Sequence, residues 1–549
     1  MLRLTELKLP LDHAPDALHH AAATRLGIPP EDLISLSVAR RGYDARRRSA
    51  ISLVYAVDVV IRNEADVRCR HAADPGIRIA PDTSYRFPTR VRTPPARPVV
   101  IGTGPCGLMA ALTLAEMGFR PIILERGKLV RERTRDTWGL WRRGVLNPES
   151  NVQFGEGGAG TFSDGKLYSG IKDPRHLGRK VLTAFVQAGA PEEILWSSKP
   201  HIGTFRLVTV VEGIRARIEA LGGEYRFGSR VEDIVLDRAR CVRGLVLADG
   251  AQLDTSAIVL AIGHSARDSF AMLHRRGVHI EAKPFSIGAR IEHPQALIDR
   301  ARFGGFAGHP LLGPADYKLV HHASNGRSVY SFCMCPGGRV VAASSEAGCV
   351  ATNGMSQYSR AEFNANAGIV VGIAPDDYPG GPLAGIAFQQ AWERRAFLTG
   401  GSDYAAPAQL VGDLIARRAS GALGAVVPSH KPGVHPADLA ACLPSFAIEA
   451  IREALQKFAR DIPGFAMHDA VLTGVETRTS SPIRIVRGAD GQSLNTKGLF
   501  PAGEGAGYAG GILSAAVDGI RVAEAVACGL TGTPMMERMT RGEAAVAYG

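Results

Sequence analysis

A glycine-rich turn between two apolar strands is the feature that most limits what this chain can fold into. Gly102, Gly104 and Gly107 form a G-x-G-x-x-G pattern after the apolar run PVVI and at the start of the helical pattern CGLMAALTLAEMG, and Glu125 ends the next apolar run. In a β-α-β unit the first glycine permits a tight turn, the second lets backbone amides approach a pyrophosphate, and the third lets the helix pack on the strand. The helix N-terminus adds partial positive charge, and the acid accepts hydrogen bonds from ribose hydroxyls. Residues 99–127 therefore predict a Rossmann-type dinucleotide-binding unit.

Composition bounds the rest of the chain. Its 549 residues are enough for two or three domains, and 45% hydrophobic with 21% charged residues is typical of a globular protein. Glycine contributes 63 of the 549 residues, or about 11%, against ~7% in an average protein. This excess favours close approach of the backbone to a ligand. The net charge is +11, but the dense basic run at 46–48 is not interleaved with aromatic residues. We therefore expect no stable nucleic-acid partner.

Cysteine spacing and the N-terminal sequence exclude several other classes. The eight cysteines are scattered, without a CxxC pair beside a His or Cys cluster, so neither a metal site nor a disulfide framework is expected. The first residues carry charges every few positions and lack the continuous apolar segment of a signal peptide. We therefore expect no signal peptide and a cytoplasmic location. Residues 99–115 are uncharged but shorter than the ~20 residues that a transmembrane helix needs.

A second glycine loop selects FAD over NAD. Gly503 and Glu504 begin the run GEGAG, which follows the strand LFPA and precedes a long helix, so a second set of amides meets the ligand. This arrangement is similar to FAD proteins of the glutathione-reductase type, in which an acid at this position contacts the ribitol and pyrophosphate. The apolar strand TSAIVLAIG, ending at Gly263, resembles the segment before the crossover in the same proteins.

The chain resembles the bacterial uncharacterised FAD-dependent dehydrogenases, also called NAD(FAD)-utilising dehydrogenases, which are distantly similar to geranylgeranyl reductases. The residues that carry the resemblance include GTGPCGLMAALTLAEMGFRPIILERG, FGEGGAGTFSDGKL, LAIGHSARD, FCMCPGGRVVAASSEAG, ETRTSSPIRI and PAGEGAGYAGGILSAAVDGIRVAEA. They span the chain from about residue 98 to its end. One departure is that Phe205 and Arg206 stand where this family is expected to have an acid.

The predicted fold class is α/β, with a Rossmann-type FAD/NAD(P)-binding domain of the glutathione-reductase kind, an inserted α+β substrate lobe and a small N-terminal α+β module. Within the lobe, SVYSFCMC and RVVAASSEAG are expected to pair as antiparallel strands across a turn at Pro336 and Gly337, and a long helix is expected at 443–460. The predicted segments are the N-terminal module 1–64, a linker 65–97, the first part of the FAD-binding domain 98–287, the inserted lobe 288–462 and the second part of the FAD-binding domain 463–549.

The motifs and the resemblance together predict the FAD contacts. The loop QFGEGGAGTFSDGKL, with five glycines, is expected to wrap the cofactor, the alternative being a glycine-rich surface loop. No covalent tether is expected. The predicted FAD-binding residues are Gly102, Gly104, Pro105, Cys106, Gly107, Glu125, Arg126, Gly157, Gly158, Ala159, Gly160, Thr161, Val231, Ala261, Gly263, His264, Gly503, Glu504, Gly510, Gly511 and Ile512.

Four further residues are candidates for catalysis. Lys166 would lie over the flavin or stabilise its reduced anion, or else be solvated. Arg478, in a Thr/Ser-rich loop, would bind flavin carbonyls or an anionic substrate. Cys333 and Cys335 are two apart in a predicted strand, so they share a face with Cα atoms ~6.5–7 Å apart, near the upper limit for a disulfide. Three alternatives stay open for them: a thiol near the substrate or flavin, a working disulfide, or small apolar residues filling a face.

The predicted function is hydride transfer between a small-molecule substrate and flavin N5. NAD(P)H, if it is the donor, docks transiently, because only one dinucleotide-binding unit is visible. The alternatives are an RNA or carrier-protein modifying flavoenzyme that docks through its basic N-terminal module, and a flavin-binding sensor without turnover. Substrate, electron donor, reaction direction and oligomeric state stay open.

Overall fold

A four-stranded antiparallel sheet and two helices form the N-terminal module in the computed structural model, which describes residues 1–535. The strand order is β2-β3-β1-β4, and residues of β3 alternate between buried and partly exposed, as the sequence alternation predicts. The elements are β1 (Leu2–Pro10), α1 (Ala17–Leu26), β2 (Leu33–Asp44), β3 (Ser52–Ile61), α2 (Glu64–Arg70) and β4 (Ile77–Ile79).

The predicted boundary between module and linker requires correction. α2 and β4 lie within the segment 65–97 that was expected to be linker, and β4 pairs with β1, with Leu2 opposite Ile79. A three-residue strand is too short to give a periodic sequence signal, and its pairing partner lies at the other end of the module. The remainder, residues 80–98, contains no helix or strand.

The module shares one hydrophobic core with the inserted lobe. Leu2, Leu4 and Val57 of the module belong to the same buried cluster as Ile287 and Ile369 of the lobe. The module is therefore packed on the lobe and is not a separately tethered domain.

The nucleotide-binding domain is built on a parallel sheet of order β23-β11-β5-β6-β7. Alternate strand residues face opposite sides, so Val100 packs with one helical layer and Val99 with the other side of the sheet. The elements of this domain before the lobe are β5 (Val99–Ile101), α3 (Pro105–Glu116), β6 (Ile122–Leu124), α4 (Val130–Arg143), α5 (Leu177–Gln187), α6 (Thr204–Ala220), β7 (Glu224–Arg226), β8 (Val231–Leu236), β9 (Val242–Leu247), β10 (Gln252–Asp254), β11 (Ile258–Leu260), α7 (Arg267–Arg275) and β12 (Ile280–Ala282).

The inserted lobe is centred on a seven-stranded sheet of order β14-β15-β18-β13-β21-β19-β20. Its long central strands are apolar and buried because helix α11 packs against them. The elements are β13 (Phe285–Pro294), α8 (Gln295–Phe303), β14 (Val320–His322), β15 (Ser328–Cys335), β16 (Gly338–Ala342), β17 (Thr352–Ser356), β18 (Asn364–Ile373), α9 (Ala384–Thr399), β19 (Ala406–Leu410), α10 (Val411–Ile415), β20 (Val434–Pro436), α11 (Ser445–Asp461) and β21 (Val471–Glu476).

Two expectations about the lobe are wrong. β21 was assigned to the second part of the FAD-binding domain at 463–549, yet it pairs with β13 at the centre of the lobe sheet. The hairpin expected across Pro336 and Gly337 does not form, since β15 pairs with β14 and β18, whereas β16 pairs with β17. Gly337 is required for another reason: an added Cβ would lie 1.7 Å from the carbonyl oxygen of Arg360.

The chain then returns to the nucleotide-binding domain. β22 pairs with β12, β23 joins the edge of the parallel sheet, and α12 packs along α3. Residues 536–549, the end of the predicted second part of that domain, lie outside the described residues. Within residues 1–535 no helix is both long and apolar enough to span a bilayer. The last elements are β22 (Ile483–Ile485), β23 (Leu499–Pro501) and α12 (Ile512–Thr531).

Candidate functional site

The glycine segments singled out in the sequence meet at the carboxyl edge of the parallel sheet. A Cβ added to Gly102 would lie 2.4 Å from the carbonyl oxygen of Ala261, and one added to Gly158 would lie 2.7 Å from the Cα of Gly104. A Cβ on Gly505 would lie 2.4 Å from the carbonyl oxygen of Gly263. These contacts between segments distant in sequence require glycine, because any side chain would force the backbones apart.

Other glycines in the same segments face open space. A Cβ added to Gly104 would meet one atom, the Cα of Gly158, at an ordinary 3.7 Å, and Cβ atoms on Gly263, Gly510 and Gly511 would meet nothing within 4 Å. These four glycines line one wall of a cavity. The bare backbone of these four glycines, which we call the glycine cradle, therefore forms an open surface that side chains would fill.

The cavity has a volume of about 1230 Å³, beyond the ~300–1,000 Å³ of usual small-molecule sites. It runs from the nucleotide-binding domain into the lobe. Gly107, Gly157, Thr161, Gly503 and Cys335 do not line it and lie behind its wall. The sequence-predicted residues that do line it are Gly102, Gly104, Pro105, Cys106, Glu125, Arg126, Gly158, Ala159, Gly160, Lys166, Val231, Ala261, Gly263, His264, Cys333, Arg478, Glu504, Gly510, Gly511 and Ile512.

Two helices begin at the cavity without a side-chain cap. The first turn of α3 contributes Pro105 and Cys106 to the lining, and α12 contributes Ile512. Uncapped first-turn amides carry partial positive charge, so both helix ends favour an anionic ligand group.

Glu125 is held rigidly at the end of β6. The side chain is 5% exposed, and its carboxylate accepts hydrogen bonds from the backbone amides of Thr103, Gly127 and Gly155 at 2.9–3.0 Å. The Thr103 hydroxyl donates a further one at 2.5 Å. The four acceptor positions of a carboxylate are thus all filled by the protein.

Arg126 and Val231 line the same end of the cavity. The Arg126 guanidinium is paired with Glu149 at 2.8 Å and Asp268 at 2.9 Å, and its Cζ lies 4.1 Å from the ring centre of Phe154. These contacts fix Arg126 as part of the wall.

His264 and Glu504 lie opposite one another where the second glycine loop meets the cavity. His264 Nδ1 is 3.5 Å from Glu504 Oε1, and the buried Nε2 has no hydrogen-bond partner among residues 1–535. An unpartnered buried polar atom is costly, and His264 lines the cavity, so Nε2 is available to hydrogen-bond a ligand there.

Lys166 is not a solvated side chain. Its ammonium donates to the carbonyl oxygen of Met334 and lies 3.4 Å from Asp164 Oδ2, and Asp164 is also paired with Arg360. Burial disfavours the ammonium, but Asp164 and the two nearby cysteines outweigh burial and raise the pKa of Lys166 above its usual range. Lys166 therefore keeps its charge at the cavity wall.

The geometry assumed for Cys333 and Cys335 is wrong. The strand pairing shifts between Phe332 and Cys335, and Cys333 adopts a φ of 42°, so the two residues lie in a bulge and do not share one face of a regular strand. Cys333 is partly exposed and lines the cavity, whereas Cys335 is buried behind it and its Sγ donates to the Cys333 carbonyl oxygen at 3.3 Å. All eight cysteines are free thiols.

Arg478 belongs to a buried ionic network that joins the inserted lobe to the nucleotide-binding domain. Both Arg478 and Arg267 donate pairs of hydrogen bonds to Glu393 on helix α9, and Arg478 Nη1 also donates to Ser265 and Ser345. Burial opposes the charge of Glu393, but the two guanidiniums outweigh it and hold the pKa of this carboxyl well below its usual range. Arg478 therefore lines the cavity with its guanidinium already committed to protein acceptors.

Sequence reasoning missed the charged partners that shape the lobe side of the cavity. Asp164 and Glu476 lie within quoted motifs but were not singled out, and Arg290 is a fully buried arginine in the apolar strand β13, where it pairs with Glu476 at 2.9 Å. An ionisable residue within an apolar strand is a usable signal. Its partner, 186 residues away, is not readable from sequence.

The residues present fit a dinucleotide. The open cradle, the two uncapped helix ends and the unpartnered His264 Nε2 supply polar groups along one elongated cavity. Among residues 1–535 no group of three or more His, Cys, Asp or Glu side chains is arranged to hold a metal ion.

Two family models match the chain. The family described as "FAD-dependent protein, C-terminal domain-like" matches residues 284–479, which is the inserted lobe, and "Domain of unknown function (DUF8436)" matches residues 1–60. With the parallel sheet and its glycine cradle, the first match defines an FAD-dependent oxidoreductase of the Rossmann type, which confirms the predicted fold class and cofactor.

The chain belongs to the family of uncharacterised FAD-dependent dehydrogenases. An uncharacterised protein of Clostridium beijerinckii is 46% identical over 527 residues, which cover 95% of this chain and 98% of that relative.

Solved structures show more distant likeness. THI4 from Thermovibrio ammonificans is 20% identical, with a TM-score of 0.23, over 34% of this chain and 63% of that one. Glycine oxidase from Bacillus cereus is 12% identical, with a TM-score of 0.36, over 81% of this chain and 99% of that one.

Proposed function

We propose that the cavity holds FAD along the nucleotide-binding domain and that a small-molecule substrate enters from the lobe side to exchange a hydride with flavin N5. The observation that carries this proposal is the continuity of one cavity, lined at one end by the glycine cradle and at the other by Lys166, Cys333 and the strands of the lobe. FAD supplies the two-electron chemistry when bound, and this chain's residues position the reactants.

The pyrophosphate is assigned to the cradle between Gly104 and the uncapped start of α3. Backbone amides and the partial positive charge of a helix N-terminus are the usual ligands of a phosphate group. Gly104 leaves the necessary space, since nothing in the protein approaches its missing side chain closely.

The adenosine ribose is assigned to Glu125. Because four protein donors already fill the carboxylate, a ribose hydroxyl must replace one of them. The Thr103 hydroxyl can rotate away at little cost, whereas the three backbone amides are fixed. Glu125 would also repel a 2′-phosphate.

The isoalloxazine ring is assigned to the stretch of wall formed by Ala159, Gly160 and Ile512, next to Lys166. The ammonium of Lys166 stabilises negative charge at this end of the cavity, and His264 Nε2 is available as a hydrogen-bonding group farther along it. Strand β15 of the lobe contributes Phe332 and Cys333 to the lining of the same cavity.

The proposed hydride transfer is tested by mixing the oxidised holoenzyme anaerobically with amino acids, 2-hydroxy acids and their carbon-deuterated forms. At least one donor is expected to bleach the flavin absorbance, with a primary isotope effect on the rate. If no donor reduces the flavin, and no acceptor reoxidises flavin reduced photochemically, hydride transfer with these substrate classes is contradicted and a flavin-binding sensor is favoured.

We predict that NADH and NADPH reduce the flavin only weakly. Residues 1–535 contain a single parallel five-stranded sheet, and FAD fills its binding edge, so nicotinamide docks transiently in the cleft at the lobe. Half-saturation is expected at the upper end of the ~1 μM–1 mM range of enzyme substrates. Anaerobic stopped-flow reduction against nucleotide concentration measures it, and fast saturation at micromolar nucleotide would reveal a second nucleotide site.

A further inference from the structure

A bulge in β15 brings Cys333 to the cavity. β15 pairs with β18 as far as Phe332 opposite Gly368, and pairing resumes with Cys335 opposite Asn366. Cys333 lies between, at a φ of 42°, a left-handed conformation that residues other than glycine rarely adopt. Two small residues that only filled a face would not need this conformation, and the bulge brings the partly exposed Cys333 thiol to the cavity.

A cluster of charges surrounds the bulge. Lys166 donates to the Met334 carbonyl oxygen, and Arg290 Nη1 donates to the Cys333 carbonyl oxygen at 2.9 Å. A third cation, Arg360, forms an ion pair with Asp164.

The cations of this cluster can compensate a thiolate at Cys333. Lys166, Arg290 and Arg360 lie among the carboxylates Asp164 and Glu476, and Arg290 also interacts with the carboxyl of Glu292. An uncompensated charge in a largely buried cluster is costly. Lys166 and Arg290 offset that cost for a thiolate at Cys333.

The two thiols differ in acidity. The neighbouring Cys335 side chain, with Lys166 and Arg290, holds the pKa of Cys333 well below its usual range despite burial and the opposing charge of Asp164. The proximity of Cys333, together with burial, raises the pKa of Cys335 well above its usual range. An accessible thiolate backed by a protonated second thiol is the arrangement of a dithiol that forms and breaks a disulfide.

We propose that Cys333 and Cys335 form a redox-active disulfide that accepts two electrons from reduced FAD. The S–S bond breaks, and the two electrons and two protons come from the reduced cofactor, which returns to oxidised FAD. One proton stays on Cys335, Cys333 remains a thiolate beside Lys166, and the second proton passes to solvent. Cys333 is partly exposed at the cavity, and accessible disulfides are among the more oxidising ones. This inference rests on the proposed position of the flavin ring.

Electron counting tests the transfer. The holoenzyme is oxidised with diamide, desalted and given one equivalent of a two-electron reductant anaerobically. Flavin absorbance is expected to bleach and then partly recover as electrons pass to the disulfide. Full reduction should take one two-electron equivalent more in the wild type than in Cys333→Ser or Cys335→Ser. Cys69→Ser, which removes an exposed thiol of the N-terminal module, should behave as the wild type.

Peptide mapping after alkylation gives a second readout that does not depend on turnover. It should show a Cys333–Cys335 disulfide after diamide and two labelled thiols after the recovery phase. If Cys335→Ser loses FAD, Cys335→Ala serves in its place. Equal electron capacity in all variants, or a disulfide that stays intact beside reduced flavin, overturns the proposal and leaves hydride transfer untouched. A wild type without FAD would instead overturn the proposed function.

The role of Lys166 is tested by the pH dependence of alkylation at Cys333. The pH midpoint for iodoacetamide labelling of Cys333 in the reduced holoenzyme should lie below the ~8.5 of an ordinary thiol. Lys166→Met should raise the Cys333 midpoint by at least about one pH unit. Lys166→Arg should restore it, and Lys199→Met, which removes a lysine of the same cavity paired with Asp316, should leave it unchanged. An identical midpoint in wild type and Lys166→Met contradicts the assignment of the thiolate.

Discussion

Gly104→Val is expected to give a folded protein that no longer retains FAD. The backbone at Gly104, with φ −67° and ψ 179°, is open to any L-residue, and an added Cβ would touch only Gly158, at 3.7 Å. The valine side chain then occupies the space assigned to the pyrophosphate. The pyrophosphate would lose two hydrogen bonds from backbone amides. Because each hydrogen bond to a charged group is worth ~1.5–3 kcal/mol, FAD binding would weaken by at least ~100-fold.

Equilibrium dialysis of the FAD-depleted proteins measures this loss, with the unfolding midpoint of each apo-protein as a check on folding. Gly305→Val is the matched control, because Gly305 is exposed, has no atom within 4 Å of its missing side chain and lies away from the cavity. FAD affinity within a few fold of the wild type in Gly104→Val would show that the pyrophosphate lies elsewhere.

Glu393→Gln is expected to destabilise the contact between the lobe and the nucleotide-binding domain. Glu393 is fully buried between Arg267 and Arg478, so the amide leaves Arg478 without its countercharge and Arg267 paired with Glu346 alone. Breaking such a network costs about 3–5 kcal/mol. The same carboxylate makes the wild type sensitive to acid: its pKa is lowered on folding, so its contribution is present above the ordinary carboxyl pKa and is lost as the pH falls below that value.

Urea unfolding monitored by tryptophan fluorescence measures the effect, since Trp392 adjoins Glu393 on α9. Glu449→Gln removes a half-exposed carboxylate that pairs with Arg417 and Arg452, and it should change the free energy of unfolding by no more than about 1 kcal/mol. Equal unfolding midpoints for the two variants would show that the buried network contributes little.

The nucleotide-binding unit was predictable because its signal is local. The strand, glycine turn, helix and acid of residues 99–125 lie within one β-α-β unit, and each glycine has a backbone reason that sequence spacing expresses. The wrong hairpin at Pro336 and Gly337 has the opposite cause. A glycine required by the approach of the distant Arg360 carbonyl gives the same sequence signal as a glycine required by a turn.

The lobe side of the site was less predictable because its contacts are non-local. The pairing of Arg290 with Glu476 and that of Glu393 with Arg267 and Arg478 join segments far apart in sequence. The bulge at Cys333 likewise depends on how β18 pairs, which no local pattern reveals. Sequence therefore identified these cysteines as candidates but assigned them the geometry of a regular strand.

The proposed function requires FAD in the cavity, and cofactor release tests this requirement directly. The purified protein is expected to be yellow and, on denaturation, to release one intact FAD per chain into the soluble fraction, identified by chromatography and mass. Release of FMN, flavin that stays attached to the denatured chain, or a colourless protein that does not bind added FAD would contradict non-covalent binding of FAD in the cavity.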